Sequence, residues 1–218
     1  SHPYGHLSQG TEASVTRLGR ADVQSFYARH YVPDRAILVI IGDASAADLL
    51  AKAERTFGGW KKAGTTLAPP AAPARISGRR LLLVDKPDAT QTHIRIGNTA
   101  IARTDPSYVP ANVASTILGG GFGARLIDEL RVKRSLTYGA WSGFAARKVP
   151  GDFRMGTFTK VATTGEALQV ALDVLGGFAT GGATAEELAR SQSLMTGQFP
   201  KQLETPGAVA SKLAELKG

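Results

Sequence analysis

The sequence predicts an α+β chain in which a mainly antiparallel sheet is packed by long helices. Three observations point there. Runs of strand length, some wholly apolar and some alternating, are bounded by glycine and proline. Other stretches place apolar residues at helical spacing behind residues that cap helices. No short-period repeat links these stretches, so nothing points to a solenoid or propeller.

Taken in order, residues 10–16 read as a loop, and 22–31 as a helix with Val23, Phe26 and Tyr27 on one face. Pro33 ends that helix, because proline turns its predecessor away from helical backbone. Residues 36–41 (AILVII) form an apolar run between Pro33 and Gly42, the pattern of a strand buried on both faces. Asp43 and Ser45 supply cap chemistry for a helix through Phe57, closed by Gly58 and Gly59. Pro69, Pro70 and Pro73 then stand among alanines without periodicity, the composition of a linker. The expected organisation is a first domain over 1–60, a linker over 61–79, and a second domain over 80–218.

Beyond the linker, residues 80–85 (RLLLVD) read as a short strand stopped by Pro87. Residues 90–102 alternate, with Ile94 and Ile96 on one side and His93, Arg95 and Gly97 on the other. A helix over 109–118 stops at a triple glycine, 119–121. Another over 124–134 turns Leu126, Ile127 and Leu130 inward. Strands over 138–147 and 153–161 pair across a turn at Pro150, Gly151 and Asp152. An amphipathic helix covers 164–178. Thr184 and Glu187 make a capping box for the next helix, and Pro206 opens the last one.

Composition narrows the function. The chain has no cysteine, which removes disulfides, thiolate metal sites and a cysteine nucleophile, and fits a bacterial cytoplasm or periplasm. No stretch approaches the roughly 18 apolar residues of a membrane span, so no membrane partner is expected. Net charge is +8, from 26 Lys and Arg against 18 Asp and Glu. The basic residues are scattered, however, and no helix-turn-helix or basic-aromatic pattern accompanies them, so no nucleic-acid partner is expected. No G-x-S-x-G elbow or P-loop appears. The abundance of alanine and arginine suggests a bacterium with a GC-rich genome.

Several stretches carry a resemblance: HPYGH (2–6), FYARHYVPDRAILVIIGD (26–43), KPDATQTHI (86–94), ILGGGFGARLIDELRVKRSLTYG (117–139), and a G-x-T-x-x-E-L pattern at 182–188. In this order they resemble the M16 (pitrilysin or insulinase) metallopeptidases. The resemblance implies a metallopeptidase-type α/β roll, present as a tandem of two similar domains with zinc in the first. Zinc there is held by an H-x-x-E-H helix whose glutamate is the general base. His2, His6, His30 and His93 are not followed by that pattern, so no metal ligand or cofactor is expected within this chain. The resemblance makes it the end of the first roll, a linker, and most of the second, non-zinc roll. Zinc would lie in the parent protein or in a partner subunit, and the partners would be peptide substrates and that zinc-bearing domain.

The resemblance also implies that Arg131 and Tyr138, seven positions apart, are the pair contributed to catalysis. Hydrolysis builds negative charge on the scissile carbonyl, and a phenol hydroxyl and a guanidinium are donors suited to it. By residue type alone, Arg131 is a solvated helix arginine and Tyr138 a strand-start aromatic. The glycines at 119–121 and 123 read first as structure, ending one helix and starting another in close quarters. The resemblance adds a substrate-lining role for Gly120, Gly121 and Phe122. A basic balance suits a chamber for peptides bearing acidic side chains or a terminal carboxylate.

Two functional readings follow. In one, the chain is the non-zinc part of a zinc peptidase; in the other, it is a catalytically silent scaffold or assembly subunit of the same family. The Arg131–Tyr138 spacing favours the first. Because an apolar strand edge invites pairing, residues 22–57 are expected to dock against 80–218 or to pair with a second copy in a homodimer.

Overall fold

The computed structural model describes residues 2–64, 68, 70–74 and 76–217; Pro69 and several neighbours in the expected linker lie outside them. The chain divides into two compact units, Ser1–Ala68 with Thr196–Gly218, and Pro69–Met195. About half of it is helical, with one three-stranded antiparallel sheet, an α+β fold.

The sheet belongs to the second unit. Its strands are β1 (Gln91–Thr99), β2 (Ala140–Ala145) and β3 (Asp152–Lys160), in the order β1-β3-β2. The expected pairing of the last two holds, with Ala145 opposite Asp152 and Ala140 opposite Thr157. β3 also takes β1 on its other side, placing Ile94 opposite Thr157 and Ile96 opposite Met155. The central position follows from composition, since Met155, Thr157 and Thr159 all turn to one buried face.

Three helices cover that face: α1 (Tyr108–Gly119), α2 (Arg125–Ile127) and α3 (Thr164–Gly181). Leu126 and Leu130, 1% and 0% exposed, meet Ile94 and Met155 across the sheet, and Ala167, Val170 and Ala171 close the layer from α3. Burying each large side chain contributes roughly 1.5–3 kcal/mol. Helix α3 runs three residues past its expected end. The expected helix over 124–134 is α-helical only to Ile127 and continues as a π-helix over Asp128–Lys133.

Hydroxyls on the buried face hold the segment that leads into β2. Thr159 Oγ1 donates to the Leu136 carbonyl at 2.7 Å and Thr157 Oγ1 to the Gly139 carbonyl at 3.0 Å. On β2 itself, Ser142 Oγ donates to the Ser115 carbonyl at 2.9 Å.

The first unit is helical and thinly cored. It holds α4 (Glu12–Arg17), α5 (Arg20–His30), α6 (Ala46–Phe57) and α7 (Pro206–Lys217), with the last supplied from the far end of the sequence. Ser45 caps α6 by accepting the Asp48 N–H at 3.1 Å, as its position suggested. The expected loop over 10–16 is instead helix α4. Its cause is a capping box without apolar periodicity: Thr11 Oγ1 accepts from Ser14 N, and Ser14 Oγ from Thr11 N. Among the described residues of this unit only Val32, 6% exposed, is a buried hydrophobe.

Two expected strands do not form. Residues 36–41 carry no strand pairing, and Ile37, Leu38, Ile40 and Ile41 are 39–57% exposed. Residues 80–85 are likewise unpaired, with Leu81, Leu82, Leu83 and Val84 at 77–87%. An apolar run becomes a strand only when another backbone takes its N–H and C=O groups, and no described residue does so. The expectation that 36–41 would be paired within the chain is therefore corrected. No described helix is long and apolar enough to cross a membrane.

Candidate functional site

The glycine turn and the π-helix build one corner of the second unit. Helix α1 ends where Gly119 presses on β2: a side-chain carbon there would collide with the Ser142 nitrogen and lie 2.7 Å from the Trp141 carbonyl carbon. Only hydrogen fits such an approach. Gly121 is roomier, with Leu194 Cδ2 3.5 Å from a hypothetical Cβ. The turn then releases Phe122 into solvent, 83% exposed, before Ala124 re-enters the core at 3%.

Arg131 lies midway along the π-helix. π-Turns are uncommon and gather at functional sites. The helix ends with the Ser135 N–H donating to the Arg131 carbonyl at 3.1 Å and Leu136 N–H to the Leu130 carbonyl at 2.8 Å. Between them Ser135 adopts φ 53°, the one non-glycine with positive φ among the described residues. Local strain of this kind also collects at functional sites. Thr137 Oγ1 accepts the Gly139 N–H at 3.1 Å, which tightens the bend at Tyr138.

This geometry brings Arg131, Phe122 and Tyr138 together. The Arg131 guanidinium carbon lies over the Tyr138 ring at 4.8 Å from its centroid and over the Phe122 ring at 5.6 Å. Tyr138 is 77% exposed and lies two residues before β2 begins. Arg131 is half-buried, and none of its side-chain donors meets a carboxylate or carbonyl among the described residues. Together the cluster offers a held cation, a phenol hydroxyl and an apolar ring to anything that reaches it. Gly120 and Gly121 sit in the adjoining turn.

Other charges nearby are spent on one another. Lys133 bridges Asp128 at 2.8 Å and Glu129 at 2.6 Å, and Arg134 reaches Glu129 at 3.4 Å. These two carboxylates raise the Lys133 pKa. Arg125 grips Glu187 through Nε at 2.6 Å and Nη2 at 2.7 Å, and Nη2 also donates to the Gly182 carbonyl at 2.8 Å. The Arg125 bond, with help from the Thr184 N–H, holds the Glu187 carboxyl at about 2. The capping box expected at Thr184 is present: Glu187 N–H donates to Thr184 Oγ1 at 3.2 Å. A cavity of about 500 Å³ opens beside these pairs, lined by Arg125, Glu129, Lys133, Asp173 and Glu187 among others, but not by Arg131 or Tyr138.

Sequence reasoning named Arg131, Tyr138, Phe122 and the glycine turn, which the structure places near one another, but missed the π-helix, the strained Ser135 and the Arg125–Glu187 clamp. The capping box was the signal for Glu187; the π-turn had none.

Among the described residues no three His, Cys, Asp or Glu side chains converge on a point that could hold a metal. His2 accepts the Tyr4 N–H at 3.1 Å, His30 packs on Phe26, and His93 lies on the exposed side of β1 against Phe158. These residues do not fit a zinc site.

The family profile described as the peptidase M16 inactive domain matches residues 17–195. A protein of Mycobacterium leprae named an uncharacterized zinc protease is 29% identical over 97% of this chain and 48% of its own length. A protein of the same description from Mycobacterium tuberculosis H37Rv is 30% identical over 97% of this chain and 49% of its own. The crystal structure of a peptidase M16 inactive domain from Pseudomonas fluorescens superposes with a TM-score of 0.88 at 29% identity, covering 99% of this chain and 51% of that one. The chain thus spans about half the length of the curated relatives it matches. With its fold and 179 consecutive residues matched, the chain belongs to the peptidase M16 inactive-domain family.

Proposed function

We propose that this chain is the zinc-free half of an M16 zinc peptidase, and that Arg131 and Tyr138 assist peptide hydrolysis at a zinc ion held outside it. The observation that carries the reading is the 4.8 Å approach of the Arg131 guanidinium to the Tyr138 ring, with the donors of Arg131 unclaimed among the described residues. A scissile carbonyl placed between that pair and a zinc-bound water would be polarised from both sides. The pair binds and orients the carbonyl and opposes the charge that develops on its oxygen. In this reading Gly120 and Gly121 line the path of an extended peptide, with the open space at Gly121, and Phe122 supplies an apolar wall beside it.

In this reading residues 1–60 complete a first roll and residues 80–218 form most of a second. The exposed apolar runs at 36–41 and 81–84 support it, because each has strand composition without a strand partner among the described residues. The zinc-bearing domain or subunit is the expected source of that partner. Supporting zinc in the whole protein, the Mycobacterium relatives are named zinc proteases.

The test is fluorogenic peptide hydrolysis by the chain alone, by its zinc-bearing counterpart alone, and by the two together. Chelator-sensitive cleavage is expected from the combination, with neither half active by itself. Cleavage by this chain alone, or no gain on combining the halves, would overturn the proposal.

A further inference from the structure

Four cations lie on α2, on the π-helix and, as Arg134, just after it, and three have claimed an anion. Arg125 holds Glu187, Lys133 holds Asp128 and Glu129, and Arg134 shares Glu129. The acids of this segment are thereby used up, and Arg131 is left without one among the described residues. Its company is instead two rings, Phe122 and Tyr138, each more than three-quarters exposed. Ring faces attract a guanidinium's charge but leave its N–H groups free to donate elsewhere.

The unclaimed donors of this half-buried guanidinium are open to water, and a ligand that takes them must repay the loss of that water. A ligand that accepts two parallel hydrogen bonds repays it better, and among peptide groups the carboxylate fits that planar fork. A peptide carbonyl offers that fork one oxygen, where a carboxylate offers two. The rings shape the rest of the site, since a carboxylate bonded there carries carbon atoms that would lie along the exposed Phe122 face.

We propose that Arg131 is a carboxylate-reading site, that its ligands are peptides with a carboxylate near the bound bond, and that Phe122 is the positioning residue that holds the guanidinium through its ring. This rests on the reading that the Arg131–Tyr138 corner meets peptides. The carboxylate has two sources, the terminal α-carboxylate or an Asp or Glu side chain.

Fluorescence anisotropy with the full 218-residue chain separates them. Four labelled peptides of one sequence are used: free C-terminus, C-terminal amide, amide with one internal Glu, and amide with Gln in its place. The free acid binding about tenfold tighter than its amide assigns the α-carboxylate, and the Glu peptide about tenfold tighter than the Gln peptide assigns the side chain. Either result supports the site. Arg131→Ala and Arg131→Lys should both abolish the preference, the latter because an ammonium keeps the charge but loses the fork. Phe122→Leu should weaken the preference several-fold while Phe122→Trp keeps it, and both should leave the melting temperature unchanged because Phe122 is 83% exposed. Binding within twofold across all four peptides overturns the inference, as does a preference that survives Arg131→Ala. A preference unchanged in Phe122→Leu overturns the role of Phe122. Because binding is read without hydrolysis, this result is independent of whether the pair assists cleavage.

Discussion

The guanidinium of Arg125 and the carboxylate of Glu187, 62 positions apart, meet face to face in a two-pronged pair at 2.6 and 2.7 Å. Glu187 also caps the helix over Ala185–Gln198 through the Thr184 N–H at 2.8 Å, so one side chain ties that helix start to α2, which leads into the π-helix that carries Arg131.

The first prediction concerns pH. The Glu187 carboxyl is held at about 2, below its ordinary 4.5, by the Arg125 bond first and the Thr184 N–H after it. A carboxyl lowered in the fold gives stability that is present above 4.5 and lost as pH falls through 2. Glu187→Gln should therefore cost about 2–3 kcal/mol at pH 7, with the gap to the parent closing as pH falls from 4.5 to 2. Denaturant unfolding of both proteins across that range is the check, and a gap independent of pH would show that the pair is not its cause.

The second concerns the turn. Gly119→Ala forces a methyl into the backbone of β2 and should destabilise by about 2 kcal/mol or more. Gly121→Ala meets only Leu194 at ordinary contact distance and should change stability by less than about 1 kcal/mol. Equal effects at the two positions would refute the packing argument.

The third tests the support of Tyr138. Thr159 is 2% exposed, and Thr159→Val leaves the Leu136 carbonyl without its donor, at a cost of about 1–2 kcal/mol. Since Leu136 precedes Tyr138 by two residues, amide exchange should quicken over 136–139 and not in β1. Uniform change across the sheet would point instead to general loosening.

Much of this fold was readable from periodicity and caps. Ile94 and Ile96, Leu126 and Leu130, and the Thr184–Glu187 box all lie where side-chain alternation or cap chemistry places them, because each is dictated by neighbours close in sequence. The failures share a different cause. Residues 36–41 and 81–84 have the composition of strands, but pairing is a property of a second backbone, and composition cannot supply one. Helix α4 went unseen because its capping box works without an apolar face. In the candidate site, Arg131 and Tyr138 were visible through the motif that contains them, whereas the π-turn that carries Arg131 depends on how Leu130 and Leu136 share one core.

The fourth prediction follows from those unpaired runs. Leu82 is 86% exposed, so Leu82→Lys should shift the unfolding free energy of the chain by less than about 0.5 kcal/mol. The same change should lower any self-association seen by sedimentation at high concentration, since an exposed apolar edge drives it. A large loss of stability would mean that the run is buried in solution.

The central claim is that Arg131 and Tyr138 assist hydrolysis at a zinc ion held elsewhere, and kcat/KM of the assembled enzyme tests it most directly. Arg131→Ala and Tyr138→Phe should each lower kcat/KM by about ten- to a thousand-fold, the span of about 1.4 to 4 kcal/mol of lost transition-state stabilisation, with zinc content unchanged. Variants that cleave as fast as the parent would contradict the claim and leave the pair as inherited architecture.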